Sequence, residues 1–147
     1  MEERVNHPKY YNNGSFEVIS IIRYYCFDIG NALKYLMRAG KKEEEGMSLH
    51  NKTIEDCEKA LWYMEDYLRN AGRLCRVTVF SASAHPSGMK ISELKSFFDE
   101  KIFQAIEHLW YVGLIGDGLL KRQRGEMINL RKAIVAVKQY IEELKTR

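Results

Sequence analysis

No run of apolar residues in this chain is long enough to cross a bilayer, and no secretory leader is visible. Export, membrane spanning and a membrane partner are therefore not expected, and the expected compartment is the cytoplasm. Proline is scarce. The 147 residues hold two, each after a histidine (His7-Pro8 and His85-Pro86), which suits a helical chain. Cysteine is scarce as well. Cys26, Cys57 and Cys75 are odd in number and lack both C-x-x-C and zinc-type Cys/His spacing. Cys26 and Cys57 sit among apolar residues, as reduced core thiols do. Charge of one sign is also lacking: 23 basic and 20 acidic residues leave a net charge of +3. So small an excess calls for neither nucleic acid nor an anionic lipid surface. There is no G-x-x-x-x-G-K-[ST] loop, which excludes a P-loop kinase, and no G-x-G-x-x-G, H-E-x-x-H or G-x-S-x-G.

What is present is a hydrophobic content of 46%, enough to build a core. The length fits one domain spanning 1–147. Residues 1–15 are polar and rich in turn formers. Phe16, Ile19, Ile22 and Cys26 recur at helical spacing. Asp28 is placed to cap a second helix, with Ile29, Ala32, Leu33, Leu36 and Met37 as its apolar stripe and Gly40 as its stop. A charged connector over 41–52 follows. Thr53, with Asp56 three residues on, resembles a capping box opening a long helix to about Ala71. Arg76 to Phe80 has the composition of one short strand. A helix is expected from Ile91 or Ser92, with Gly113 ending it. After a connector over 116–125, Glu126 to Lys145 forms the last helix, with Ile128, Ala133, Ile134, Val137 and Ile141 inward.

The two halves echo each other at an offset of 73 residues. Ala32 matches Ala105, Leu33 matches Ile106, Leu36 matches Leu109, Gly40 matches Gly113, Ala60 matches Ala133 and Tyr67 matches Tyr140. A gapless offset across two helices and a loop points to a duplicated helical hairpin, with one copy over 7–72 and a degenerate one over 91–146. Shared apolar phase in any two amphipathic hairpins would give part of the same pattern. Two such hairpins packed together predict an all-α, four-helix-bundle-like fold. The copies differ in polar residues: Asn31, Lys34 and Arg38 become Gln104, Glu107 and Tyr111, and Asp56 becomes Asn129. Function is therefore expected in the first copy.

Asn31, Lys34 and Arg38 follow i, i+3, i+7 spacing and share a helix face, with Lys41 just beyond. Such a strip can grip phosphate or carboxylate, since Arg offers a fork and Lys a point charge. It can equally be a solvated face that complements the helix C-terminus. Asp56, Lys59 and Tyr63 share a face of the next helix, with Trp62 beside it. Asp56 is positioned to pair with Lys34 or Arg38, and the aromatic rings to stack on a base. A core Trp62 and an Asp56 near a helix start are the plainer alternatives. No metal-ligating cluster stands out.

The stretch His7-Pro8, Tyr10-Tyr11, Gly14, Glu17, Gly30-Asn31, Lys34-Tyr35, Arg38, Gly40-Lys41, Asp56, Lys59-Ala60 and Tyr63 resembles a conserved phage and prophage domain family. Members of that family include the T7-like phage nucleotide kinase. The resemblance covers about residues 7–68, and Tyr10 stands where the family often carries histidine. It implies phage or prophage origin in a bacterial host, nucleotide binding, and phosphoryl transfer to a (deoxy)nucleoside monophosphate. ATP would be the donor, with or without Mg²⁺. In that reading Lys34, Arg38 and Asp56 are catalytic, while His7, Tyr10, Tyr11, Asn31, Lys41, Lys59 and Trp62 bind substrate. Two other readings stand beside it. One is a non-enzymatic phage protein that binds a host protein or a nucleotide signal. The other is an all-α nucleoside triphosphate pyrophosphatase, for which Glu55, Glu58, Glu65 and Asp66 supply part of the acid set. Homo-oligomerisation is expected from the aromatic content.

Overall fold

Apolar stripes at helical spacing, with little glycine or proline inside them, dictate helices, and helices packed on helices make up the fold. The computed structural model describes residues 16–41, 44–74, 85–115 and 126–147. The expected strand at 76–80, the N-terminal arm and the 116–125 connector lie outside these residues. The elements are α1 (Ile19–Ile22), α2 (Phe27–Arg38), α3 (Leu49–Leu74), a 3₁₀ segment (Ile91–Phe97), α4 (Glu100–Leu109) and α5 (Glu126–Lys145). Helix α2 lies on α3, α4 lies on α5, and the pairs meet through α3 against α5 and α2 against α4. The protein is all-α.

Burial follows the stripes. Ile29, Ala32, Leu33, Leu36 and Met37 on α2 are buried, as are Ala60, Met64 and Tyr67 on α3. Ile102, Ala105, Ile106 and Leu109 on α4 meet Leu130, Ala133, Val137, Tyr140 and Ile141 on α5. Each fully buried aliphatic side chain is worth about 1.5–3 kcal/mol, so these stripes decide which faces meet. Cys26 and Cys57 are buried and not disulfide-bonded, and burial pushes the Cys57 thiol up to about 12, far from reactive thiolate character. No described helix is long and apolar enough to cross a membrane.

Several local expectations are corrected. The helix expected over Phe16 to Cys26 is one turn, Ile19–Ile22. It gives way because Tyr25 pairs in an antiparallel bridge with Leu114, while Cys26 N–H donates to Gly113 O at 2.7 Å. Asp28 does not cap α2. Cys26 holds the cap position without a side-chain bond, and Asp28 lies inside the first turn, buried against α3. Thr53 does not open α3. Ser48 accepts the Asn51 N–H at 3.1 Å, so the helix starts a turn earlier, and Thr53 Oγ1 donates back to Leu49 O at 2.8 Å. The helix expected from Ile91 or Ser92 breaks after a 3₁₀ segment, and Asp99, accepting the Lys101 N–H, caps α4. Ile128 is 59% exposed rather than inward.

Several pairs of residues 73 apart share their burial. Cys26 and Asp99 each precede a helix, and the pairs Ile29/Ile102, Leu33/Ile106, Leu36/Leu109, Met64/Val137 and Tyr67/Tyr140 are all buried. Gly40 and Gly113 both take a positive φ, 81° and 71°. Gly113 is also packed too tightly for a side chain: a Cβ there would lie 2.7 Å from Ile29 Cγ1 and 2.9 Å from Cys26 Sγ. Behind this turn Glu126 is buried, accepting from Tyr67 Oη at 3.0 Å and from Gly113 N–H at 3.2 Å. One carboxylate thus joins α3, the turn after α4 and the start of α5.

Candidate functional site

The outer seam between α2 and α3 gathers most of the residues marked by the sequence. Arg38, in the last turn of α2, is buried, and its Nε donates to Asp56 Oδ1 at 3.2 Å. Of the two partners the sequence offered for Asp56, Arg38 is the one it meets. Lys52 lies a turn before Asp56 on α3. It is 1% exposed, with its Nζ 3.6 Å from Asp56 Oδ1 and 3.0 Å from Glu55 Oε1. Burial alone would lower the Lys52 pKa. The hydrogen bond to Glu55 and the charges of Asp56, Glu55 and Glu44 outweigh that and hold it above its ordinary value. Glu55 is held down to about 2 by hydrogen bonds from Lys59, at 2.8 Å, and Lys52. Lys52 is not among the residues expected at the site, although its i+3 and i+4 spacing to Glu55 and Asp56 is legible in the sequence.

Asp56 is fully buried. Its second oxygen, Oδ2, has no hydrogen-bond partner among the described residues. Wholly enclosed, Asp56 orders Arg38 and Lys52 rather than facing solvent. The surface that does face outward is aromatic and cationic. Lys34 Nζ, Arg38 Cζ and Lys59 Nζ lie 4.8, 4.4 and 5.5 Å from the centre of the Tyr35 ring. Tyr35 stacks on Tyr63 at 5.9 Å and 12°. Tyr63 in turn meets Trp62 edge-on at 5.1 Å and Phe27 at 5.9 Å. Trp62 is 57% exposed and Phe27 is 74% exposed, so Trp62 is not a core residue. Lys34 and Lys59 beside one ring, with the buried Arg38 beneath it and further rings open next to it, make a surface suited to a phosphate attached to a flat group.

Two predicted residues behave differently. Asn31 donates to Phe27 O at 2.8 Å, a bond within its own helix. Lys41 turns away from the strip: its Nζ donates to Phe97 O at 2.6 Å and lies 5.2 Å from the Phe98 ring, and burial lowers its pKa. It ties the end of α2 to the 3₁₀ segment. His7, Tyr10 and Tyr11 lie outside the described residues. Among the described residues no group of three or more His, Cys, Asp or Glu side chains is placed to hold a metal ion.

Two clusters were not visible in the sequence. Asp28 and Asp66 meet across α2 and α3, and the Asp28 carboxyl is pushed up to about 7. Burial is the main cause, followed by the hydrogen bond to Asp66 and its charge, with Arg69 opposing. Asp66 also accepts from Asn70 Nδ2 at 3.2 Å. The second cluster is His85, stacked on Trp110 at 4.0 Å. Its Nδ1 accepts the Ser87 N–H at 3.1 Å and meets Ser87 Oγ at 2.7 Å, and its Nε2 lies 2.9 Å from Tyr25 Oη. Nδ1 is therefore the acceptor nitrogen of a neutral ring. Tyr25 Oη in turn donates its hydrogen bond to Trp110 O. Every polar atom of this relay is satisfied, so it holds the segment before the 3₁₀ turn against the core.

A model of a family described as a protein of unknown function (DUF3310) matches residues 5–65, fewer than half of the chain. That stretch includes α1, α2, the start and middle of α3, and the Arg38–Asp56 seam. No curated protein and no solved structure matches the chain.

Proposed function

We propose that this is a nucleotide-binding protein that takes phosphate at Lys34 and Lys59, backed by the buried Arg38, and stacks the base on Trp62. The observation that carries the reading is the convergence of those three cationic heads on the Tyr35 ring, next to an exposed indole. The division of labour follows from burial. Asp56 and Lys52 fix Arg38, while Lys34 and Lys59 reach toward solvent. The resemblance of residues 7–68 to the phage nucleotide-kinase-like family extends the proposal. In it, a phage or prophage enzyme phosphorylates a (deoxy)nucleoside monophosphate with ATP as donor. Phosphoryl transfer relies mainly on positioning and charge neutralisation, which such a cluster supplies.

A second reading is favoured by one observation: Phe27 and Trp62 flank Tyr63 as large exposed rings, the kind of anchor that fills a pocket on a partner protein. On that reading the same face binds a host protein. The pyrophosphatase reading draws less support, because Glu55 is held by Lys52 and Lys59, and Glu58 pairs with Lys145 at 3.5 Å.

The test is to incubate the protein with ATP and each deoxynucleoside monophosphate, with and without Mg²⁺, and to follow binding calorimetrically and products by chromatography. Lys34→Ala and Lys59→Ala should each weaken nucleotide binding about tenfold, the size expected for one lost charge-assisted contact. Diphosphate formation would support the kinase extension, and release of pyrophosphate would favour the pyrophosphatase. Absence of saturable binding by every nucleotide would remove the reading and leave the host-protein alternative.

A further inference from the structure

The α4–α5 hairpin carries an open groove of about 530 Å³ on its outer face. That volume falls within the range of about 300–1,000 Å³ usual for small-molecule sites. Ile128, Val135 and Ala136 form its apolar wall, with His108, Arg131 and Lys132 among its other lining residues. At the 73-residue offset these are the counterparts of Glu55, Trp62, Tyr63, Tyr35, Glu58 and Lys59. By sequence offset, the groove on the second hairpin therefore corresponds to the aromatic and cationic face on the first.

The differences between the two places define what is missing. On the first hairpin the Tyr63 ring stacks on Tyr35 at 5.9 Å and occupies the seam. On the second, Ala136 replaces Tyr63 and His108 replaces Tyr35, so one ring is gone and a flat imidazole is left to face the space. Lys59 lies 2.8 Å from Glu55, with its side chain partly open to solvent. Its counterpart Lys132 has Ile128 in place of that acid, and Glu58 is exchanged for Arg131. Arg131 and Lys132 are exposed, and neither forms an ion pair among the described residues. The second groove has thus lost the rings of Trp62 and Tyr63 and the carboxylates of Glu55 and Glu58, kept a cation at Lys132 and gained one at Arg131, while Glu107 and Tyr111 stand where the first face has Lys34 and Arg38.

We infer that this groove is a binding site for a small anion carrying a flat ring. The ring takes the space of the absent Tyr63 counterpart, against His108 and between Val135 and Ala136. The anionic group sits on Lys132 and Arg131. Apolar walls alone would admit any greasy group, and two unpaired cations alone any anion. Their junction selects a molecule with both features, of mononucleotide size. This site is separate from the α2–α3 face and does not depend on the function proposed there.

The probe is adenosine 5′-monophosphate, titrated into the isotope-labelled full chain and read by NMR at His108 and Ala136, with adenosine and inorganic phosphate as controls. Saturable shifts at both residues are expected, with adenosine and phosphate each binding at least about tenfold more weakly. Lys132→Ala, at an exposed position, should weaken the monophosphate about tenfold, and Ala136→Tyr should block it. The inference is overturned if His108 and Ala136 show no saturable shift, if phosphate alone binds as well as the monophosphate, or if Lys132→Ala binds like the unaltered chain. Signals of Tyr35 and Tyr63 report the α2–α3 face in the same titration, so either site can fail while the other stands.

Discussion

Arg38 and Asp56 meet at 3.2 Å with their side chains 8% and 0% exposed, so the polar seam between α2 and α3 is an ion pair almost wholly removed from water. Removing one partner of such a pair leaves the other charge buried and uncompensated. Asp56→Ala and Arg38→Ala should therefore each cost about 3–5 kcal/mol, read as a lower urea midpoint at unchanged slope. Replacing both with apolar residues of similar volume should recover part of that loss. A cost below about 1 kcal/mol for either single change would mean that water reaches the seam.

Stability should fall in mild acid through His85. Burial lowers its pKa from 6.5 to about 4, so between those values the unfolded chain binds a proton that the folded chain does not. The contribution is complete above pH 6.5 and is lost as pH falls towards 4. Protonation would also break the bonds that Nδ1 accepts. Urea midpoints measured across this window should decline, and His85→Gln should flatten that decline. An unchanged slope in the variant would show that other groups cause it.

Asp28 should act with the opposite sign. Its carboxyl rises from 3.8 to about 7, so the folded chain holds the extra proton, and the stabilisation present below pH 3.8 is lost as pH rises through 7. Asp28→Asn imitates the protonated form. It should raise the melting temperature at pH 8 and change it little at pH 4. A variant less stable than the parent at pH 8 would mean that the carboxylate is welcome there, as it would be beside a bound cation.

Gly113→Ala and Gly46→Ala should separate backbone strain from steric clash. Both glycines take positive φ, 71° and 82°. Gly46 has nothing within 4 Å of an added Cβ, so its alanine variant should lose only about 1–2 kcal/mol. At Gly113 the same Cβ would strike Ile29 and Cys26, adding an overpacking cost of about 1–3 kcal/mol. Thermal melts of the two variants test the order, and equal losses would mean that the turn relaxes freely.

The α2 and α5 helices and most of their buried stripes were legible because apolar spacing is local. The α5 boundaries, Glu126–Lys145, fall where the sequence places them, and all five stripe residues of α2 are buried. Helix starts were less legible. Asp28 and Thr53 have good capping chemistry, yet Asp28 is drawn inward against Asp66, and Ser48 supplies its oxygen a turn before Thr53. Of the candidate site, the Arg38–Asp56 pair was one of two partnerships the spacing allowed, and the structure chose it. The direction of Lys41 was not readable, because it depends on the Phe97 carbonyl 56 residues away. Nor could spacing alone show that Trp62 stays outside the core.

Sequence alone determined an all-α chain with two helical hairpins in matching phase, because periodicity is a property of neighbours three and four residues apart. Only tertiary packing decided which charges lost their water. It buried Lys52, Asp56 and Arg38 together and pushed Asp28 against Asp66. It also filled one seam with Tyr63 while leaving its counterpart at Ala136 open. Desolvation and cavity volume arise from atoms distant in the chain, and no local pattern records them.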